Sequence, residues 1–208
     1  FLRQRKKLVS EYLLSNWDNS KEALAKCYQG YSERNIADLS RWKPYAISFG
    51  DHDRNWDWVG KMTEQDLVYQ RGNFFVLEAN DTTYGVMTIF AGSERFRAIE
   101  SQAPIVYINS IAVAPWTRKN GVPRDKVKYL KECGTSLILT AIQYRAMLGF
   151  DKRVGLYAAK EAEGFYKACG MKSYNRKETG KAALSQLTYF EFDFDSATRF
   201  QRRKGIHV

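Results

Sequence analysis

Lys131-Glu132-Cys133-Gly134-Thr135-Ser136 stands just before an apolar run of helical period, an arrangement suited to binding an anion. A small-residue turn that enters a helix leaves backbone N–H groups without helical partners, and the helix dipole adds positive potential at the same end. The same residues also suit a close contact between a helix and a sheet, so the spacing alone admits both roles. Other chemistries find less support. Cys27, Cys133 and Cys169 are odd in number and widely spaced, with no CxxC pair, and His52 and His207 are the two histidines of the chain. That pattern argues against a zinc site, a disulfide framework and a cysteine–histidine nucleophile, so no metal is expected.

The elements that must position these residues can be read from periodicity. Leu8, Val9, Tyr12, Leu13 and Trp17 recur at helical spacing, which predicts an amphipathic helix over Leu2 to Trp17. Asn19-Ser20 caps a second helix from Lys21 to about Gln29, and Ser32 a third through Leu39. Trp42 to Lys61 has no clear period and reads as loop with short elements, and Thr63-Glu64-Gln65-Asp66 as a short helix start. From Asn73 the pattern changes to strands. Asn73–Ala79 and Tyr84–Phe90 form a hairpin around Asn80–Thr83, and Ile105–Val113 is a long strand ending at Ala114-Pro115. A helix is predicted from about Asp125 to Leu148, stopped by Gly149, then a strand over Arg153–Ala159. A short helix over Lys160–Ala168 and a last strand over Ser185–Phe194 follow, with a basic tail at Arg199–Lys204. The whole is one mixed α/β domain over 1–208: a helical N-terminal part (1–70), a sheet core (71–194) and a basic tail (195–208).

Three stretches, in this order, resemble the GNAT family of acyl-CoA N-acyltransferases. Ile108-Asn109-Ser110-Ile111-Ala112-Val113-Ala114-Pro115 is similar to the family's fourth strand. Lys131 to Ser136 resembles its R/Q-x-x-G-x-G/A pyrophosphate loop, with Lys131 in place of Arg or Gln and Ser136 in place of the final Gly or Ala. Val154–Ala159, Ala162, Phe165-Tyr166 and Cys169-Gly170-Met171 resemble its fifth strand and the helix after it, where the family ends in F-Y-x-x-x-G-F. Ala159 stands where the family often has Asn. Arg118-Lys119-Asn120-Gly121-Val122-Pro123 offers a competing register for the loop, but it makes the helix before Val154 too long. The resemblance covers about the second half of the chain.

It implies a GNAT-like fold, a central mixed sheet flanked by helices, and acetyl-CoA or another acyl-CoA as cofactor, bound where the fourth and fifth strands splay. Backbone groups of Ile111, Ala112 and Val113 would pair with the pantetheine arm, and Lys131, Cys133, Gly134, Thr135 and Ser136 would hold the pyrophosphate. A substrate amine would attack the thioester directly, and Tyr166 would protonate the departing thiolate. Tyr107, Asn109 and Arg118 are the candidates on the substrate side. Glu78 and Glu161 are weaker candidates for the base.

Composition bounds the partners. The chain has 208 residues, 44% hydrophobic and 27% charged, which suits a sizeable core. No run approaches the ~18–20 apolar residues that span a membrane, and Phe1–Lys7 is followed by no apolar stretch of a secretory signal. A cytoplasmic protein is expected. The net charge of +10 attracts anions, nucleic acid and phosphorylated cofactors included. The resemblance implies an amine, small or macromolecular, as acceptor. A nucleobase or aminoacyl-tRNA amine, or a CoA- or nucleic-acid-binding module without turnover, are the alternatives.

Overall fold

The computed structural model describes residues 7–14, 23–48, 55–61, 72–91, 103–118, 132–149, 153–174 and 187–206. Eight strands are found among them, in the sheet order β1-β2-β3-β4-β5-β6-β8-β7. The residues divide into two compact units. The first holds Phe1–Thr88 and Ser110–Thr140, the second Ile89–Asn109 and Ala141–Val208.

The first unit opens with a correction. The segments expected as two helices are antiparallel strands, β1 (Lys7–Leu14) and β2 (Ala23–Gln29). Ala25 and Cys27 are fully buried and Lys26 between them is not, a period of two that the short run left ambiguous. Lys26 pairs with Glu11 across the strands at 3.5 Å. The deciding force is tertiary: β2 pairs with β3 from Lys26↔Glu78 to Gln29↔Phe75, and that ladder overrides a modest helical preference. Strands β3 (Gly72–Ala79) and β4 (Thr82–Ala91) form the expected hairpin. Its two turn residues, Asn80 (φ 45°) and Asp81 (φ 59°), are both left-handed, as a type I′ turn requires.

Helix α1 (Glu33–Ser48) starts where Ser32 was expected to cap it. The Ser32 N–H donates to Asn35 Oδ1 at 2.7 Å, and the Asn35 N–H to Ser32 Oγ at 3.4 Å. The helix does not stop at Leu39. It runs through Pro44, because Leu39 and Trp42 share a buried face whose packing offsets the ladder bond that proline removes. That face meets Phe74 and Val76 of β3, Val86 of β4, and Ala112 and Ala114 at the end of β5 (Val106–Val113). On the other face of β4, Gly85 admits Leu137 of helix α2 (Cys133–Met147) so closely that a Cβ would lie 2.9 Å from Leu137 Cδ1. Helix α2 was expected from Asp125; Cys133 is its first residue, and 119–131 lie outside the described residues, as do Thr63–Asp66.

In the second unit, β6 (Val154–Ala158) runs parallel to β5, in register from Val106↔Val154 to Ile108↔Leu156. A 3-10 turn at Lys160–Ala162 leads into α3 (Glu163–Cys169), closed by Gly170 at φ 97°. Strand β8 (Thr188–Phe192) lies antiparallel to both β6 and β7 (Lys172–Tyr174).

The expected basic tail is a further correction: it is helix α4 (Phe194–Arg203). Ser196, Ala197, Phe200 and Gln201 form its buried stripe, with Phe200 5.5 Å from Phe192, and the arginines lie on the remaining face. Asp193 caps it, accepting from the Ser196 N–H at 2.7 Å and from Lys172 Nζ at 2.8 Å. Burial alone would raise the Asp193 pKa, but Lys172 and Ser196 outweigh it and hold the carboxyl well below the usual range. A depressed folded-state pKa stabilises above the unfolded value of about 4 and is lost as pH falls below it. Asp193→Ala is therefore expected to cost about 1 kcal/mol, or about 2–4 °C in Tm, at pH 7. Melts repeated at pH 3 should show a smaller gap from wild type; an equal gap refutes the charged cap.

Candidate functional site

In the first unit, β5 ends in Ser110-Ile111-Ala112-Val113. Ser110 and Ala112 are buried, and Ile111 and Val113 are half-buried. The end of the strand is fastened by the Ala114 N–H, which donates to the Tyr84 carbonyl at 2.9 Å. A 3-10 turn at Pro115–Thr117 then returns the chain, and Thr117 Oγ1 donates to the Ala114 carbonyl at 2.7 Å. Arg118 folds back so that Nε and Nη2 donate to the Val113 carbonyl at 3.1 and 2.8 Å. This substrate-side candidate thus holds the strand that the cofactor arm was expected to follow.

Helix α2 begins immediately after Glu132, whose φ of 65° is left-handed. The first ladder bond runs from the Ser136 N–H to the Glu132 carbonyl at 2.8 Å. The N–H groups of Cys133, Gly134 and Thr135 therefore precede the ladder, while that of Ser136 belongs to it. Gly134 and Thr135 are half-exposed, whereas the side chains of Cys133 and Ser136 are buried. A diphosphate fits this end: small residues, backbone donors and the positive end of a fifteen-residue helix. Lys131 lies outside the described residues.

One feature of this unit was missed in the sequence. Asp57 caps a helical turn at 58–61, its Oδ1 accepting from the Gly60 N–H at 2.9 Å. The turn buries Trp58 against Leu39, Trp42 and Ala112, with Trp56, Val59 and Trp116 packed around them. It also sends Lys61 to β5: Nζ lies 3.3 Å from Ser110 Oγ and 4.9 Å from the Trp56 ring centroid. Asp57 three residues before Gly60 was the available signal, hidden in a stretch without period.

In the second unit, Tyr166 sits on α3 with 6% of its surface exposed, 5.8 Å from the Phe190 ring. Its hydroxyl has no hydrogen-bond partner among the described residues, and burial pushes its pKa upward, so it stays protonated. Tyr107 is buried in a tyrosine cluster, 6.4 Å from Tyr157, and Asn109 is exposed. Glu161 is exposed. Glu78, in the first unit, accepts from Asn35 Nδ2 and lies 3.6 Å from Arg34, a buried brace under the hairpin. Burial raises Cys27 and Cys133 to about 12 and Cys169 to about 11, so all three are inert thiols near neutral pH. Arg203 Nη2 donates to the Cys169 carbonyl at 2.8 Å, closing the end of α3. Among the described residues no three His, Cys, Asp or Glu converge as metal ligands, and no described helix is long and apolar enough to cross a membrane.

No family sequence model matches the chain, and no curated protein sequence matches it. Solved structures do. FeeM, an N-acyl amino acid synthase from uncultured soil microbes, superposes with a TM-score of 0.57 at 9% identity, covering 87% of this chain and 96% of its own. An acetyltransferase from Streptococcus agalactiae gives 0.54 at 13% identity over 81% and 98%. The spermidine/spermine N-acetyltransferase SpeG from Vibrio cholerae gives 0.51 at 14% over 86% and 96%. At such identities the likeness is one of fold, and it spans nearly the full length of each. This chain is a divergent example of the GNAT acyl-CoA N-acyltransferase fold.

Proposed function

We propose that the protein transfers an acyl group, acetyl in first place, from acyl-CoA to an amine by direct attack. The observation that supports this most is Tyr166: a side chain almost wholly buried, whose hydroxyl has no protein partner among the described residues. A phenol with no protein acceptor, on a side chain otherwise packed in place, is free to donate to a bound ligand.

Bound acyl-CoA supplies a thioester, an electrophilic carbonyl with a thiolate leaving group. The chain's residues do the rest. Backbone groups of Ile111, Ala112 and Val113 hold the pantetheine arm, which competes with Arg118 for the Val113 carbonyl. The same backbone polarises the acyl carbonyl as charge develops on its oxygen. N–H groups of Cys133, Gly134 and Thr135 hold the diphosphate, and Lys131 adds a cation. As the C–N bond forms and the C–S bond breaks, Tyr166 donates its proton to the leaving sulfur, and the proton that the attacking nitrogen loses, passed through water, restores the phenol. No described carboxylate is assigned as base, and orientation of a neutral amine supplies much of the rate. Two arginines of the basic clusters, Arg118 and Arg203, donate to the protein's own carbonyls, which favours a small amine over a nucleic-acid amine as acceptor.

Calorimetric titration with CoA and thiol release from acetyl-CoA over a panel of amines test the reading. Binding is expected within about 1 µM–1 mM, with thiol release that depends on the amine. Binding without release would leave a CoA-binding module, and absence of both removes the acyltransferase reading.

A further inference from the structure

We propose that Arg203 is a positioning residue for Tyr166, acting from helix α4 through the last carbonyls of α3. The inference rests on the acyl-transfer reading above and adds a residue to it. It is carried by the second unit alone. Helix α3 has seven residues, too few to hold its own direction, so its anchors at either end decide where Tyr166 points. At its start, Thr188 Oγ1 of β8 donates to Glu163 Oε1 at 2.6 Å. Two residues further along that strand, Phe190 packs 5.8 Å from the Tyr166 ring.

The other end is a matter of the carbonyls that a helix leaves over. Those of Tyr166 and Lys167 are met within the closing turn, by the N–H groups of Met171 at 3.1 Å and Gly170 at 2.9 Å. Those of Ala168 and Cys169 are met from α4: Arg203 Nη2 lies 2.8 Å from the Cys169 oxygen and 3.5 Å from that of Ala168. The guanidinium sits close on the turn, since a Cβ on Gly170 would come within 3.4 Å of Nη2. It is itself held. Its central carbon lies 5.8 Å from the Phe200 ring, and Phe200 is buried against Phe192. Asp193, bonded to Lys172 and to the Ser196 N–H, fixes the opposite end of α4. The path from Arg203 to the phenol is short, because the Tyr166 carbonyl belongs to the same turn. A loosened end lets α3 tilt and carries the hydroxyl with it, and a donor displaced by about 1 Å loses much of its rate advantage. Arginine's planar head stacks on a ring and keeps its direction, which a flexible lysine ammonium does less well, so lysine is a partial substitute.

The test measures thiol release at saturating acetyl-CoA and amine for wild type, Arg203→Met and Arg203→Lys, each alone and combined with Tyr166→Phe. Arg203→Met is expected to lower kcat about tenfold with KM for either substrate within about twofold, and Arg203→Lys to recover part of the loss. Beside Tyr166→Phe, Arg203→Met should cost less than about twofold more, because the hydroxyl it acts through is gone. Placement is read separately by fluorine NMR of protein labelled with meta-fluorotyrosine, in which the Tyr166 resonance is the one that Tyr166→Phe removes. That resonance should move in Arg203→Met and lie between the two positions in Arg203→Lys. An unchanged kcat in Arg203→Met, a loss that persists in full beside Tyr166→Phe, or a Tyr166 resonance that stays in place overturns the assignment. A resonance that moves, in a protein that releases no thiol with any amine, keeps the placement of Tyr166 by Arg203 and removes the acyl-transfer reading instead. Neither release nor a moved resonance overturns both.

Discussion

Tyr166→Phe is expected to lower kcat for acyl transfer about 100-fold or more while leaving CoA affinity within about twofold. The substitution removes one oxygen and keeps the ring that packs 5.8 Å from Phe190, so the second unit should fold unchanged. Burial pushes the Tyr166 hydroxyl well above its ordinary value, and the same physics raises a thiol: Cys27 and Cys133, both buried, sit at about 12. A thiolate leaving into a desolvated environment is therefore a strong base, and a phenol in the same environment remains matched to it. The matching has a pH signature. The wild-type rate should not fall between about pH 7 and pH 10, because the phenol keeps its proton throughout that range. Steady-state thiol release at saturating acetyl-CoA, with calorimetry on the variant, measures both halves. A variant of wild-type kcat removes Tyr166 from the chemistry; one that loses CoA binding and melting temperature together makes it a packing residue.

What could be read in advance follows the range of the forces involved. The β3–β4 hairpin, β5, Gly149 and Gly170 were legible because alternation, turn residues and a left-handed glycine act within a few residues of each other. β1 and β2 were not, because each is short and takes its state from strands distant in sequence, as the pairing of Cys27 with Leu77 shows. Helix α4 was missed for a different reason. Its arginines dominate the composition, and the stripe of Ser196, Ala197, Phe200 and Gln201 beneath them is narrow and half polar. Of the candidate site, the small-residue turn Lys131–Ser136 is a local pattern, although the helix itself was expected to begin earlier, and Tyr166 entered through the resemblance to the family's F-Y-x-x-x-G-F. The approach of Lys61 to Ser110 spans 49 residues, and Arg118 turning back to Val113 uses a polar side chain that composition reads as surface. Contacts of that kind are made by the tertiary fold and leave no period.

Gly155→Ala should destabilise the protein by about 3 kcal/mol, which lowers Tm by about 6–12 °C. Gly155 lies on β6 opposite Glu191 of β8. A Cβ there would run into the Tyr189 hydroxyl and come within 2.9 Å of Ile105 Cδ1. Neither neighbour can yield easily: Tyr189 and Ile105 are both buried, and Tyr189 packs 5.1 Å from Tyr157 and 6.3 Å from Tyr174. The hydroxyl also donates to Glu191 Oε2 at 3.1 Å, and Glu191 is itself buried, with Arg153 3.9 Å away. A methyl group thus adds overpacking, about 1–3 kcal/mol, to the loss of a donor on a buried carboxylate, about 1–3 kcal/mol more. Tyr189→Phe separates the two. It removes the oxygen that the new methyl would strike, so Gly155→Ala should cost less in that background than in wild type, by about 1 kcal/mol or more. Thermal melts of the four proteins give the coupling directly. Strict additivity would mean that the methyl group is absorbed by backbone movement, and that the glycine answers to strand geometry and not to Tyr189.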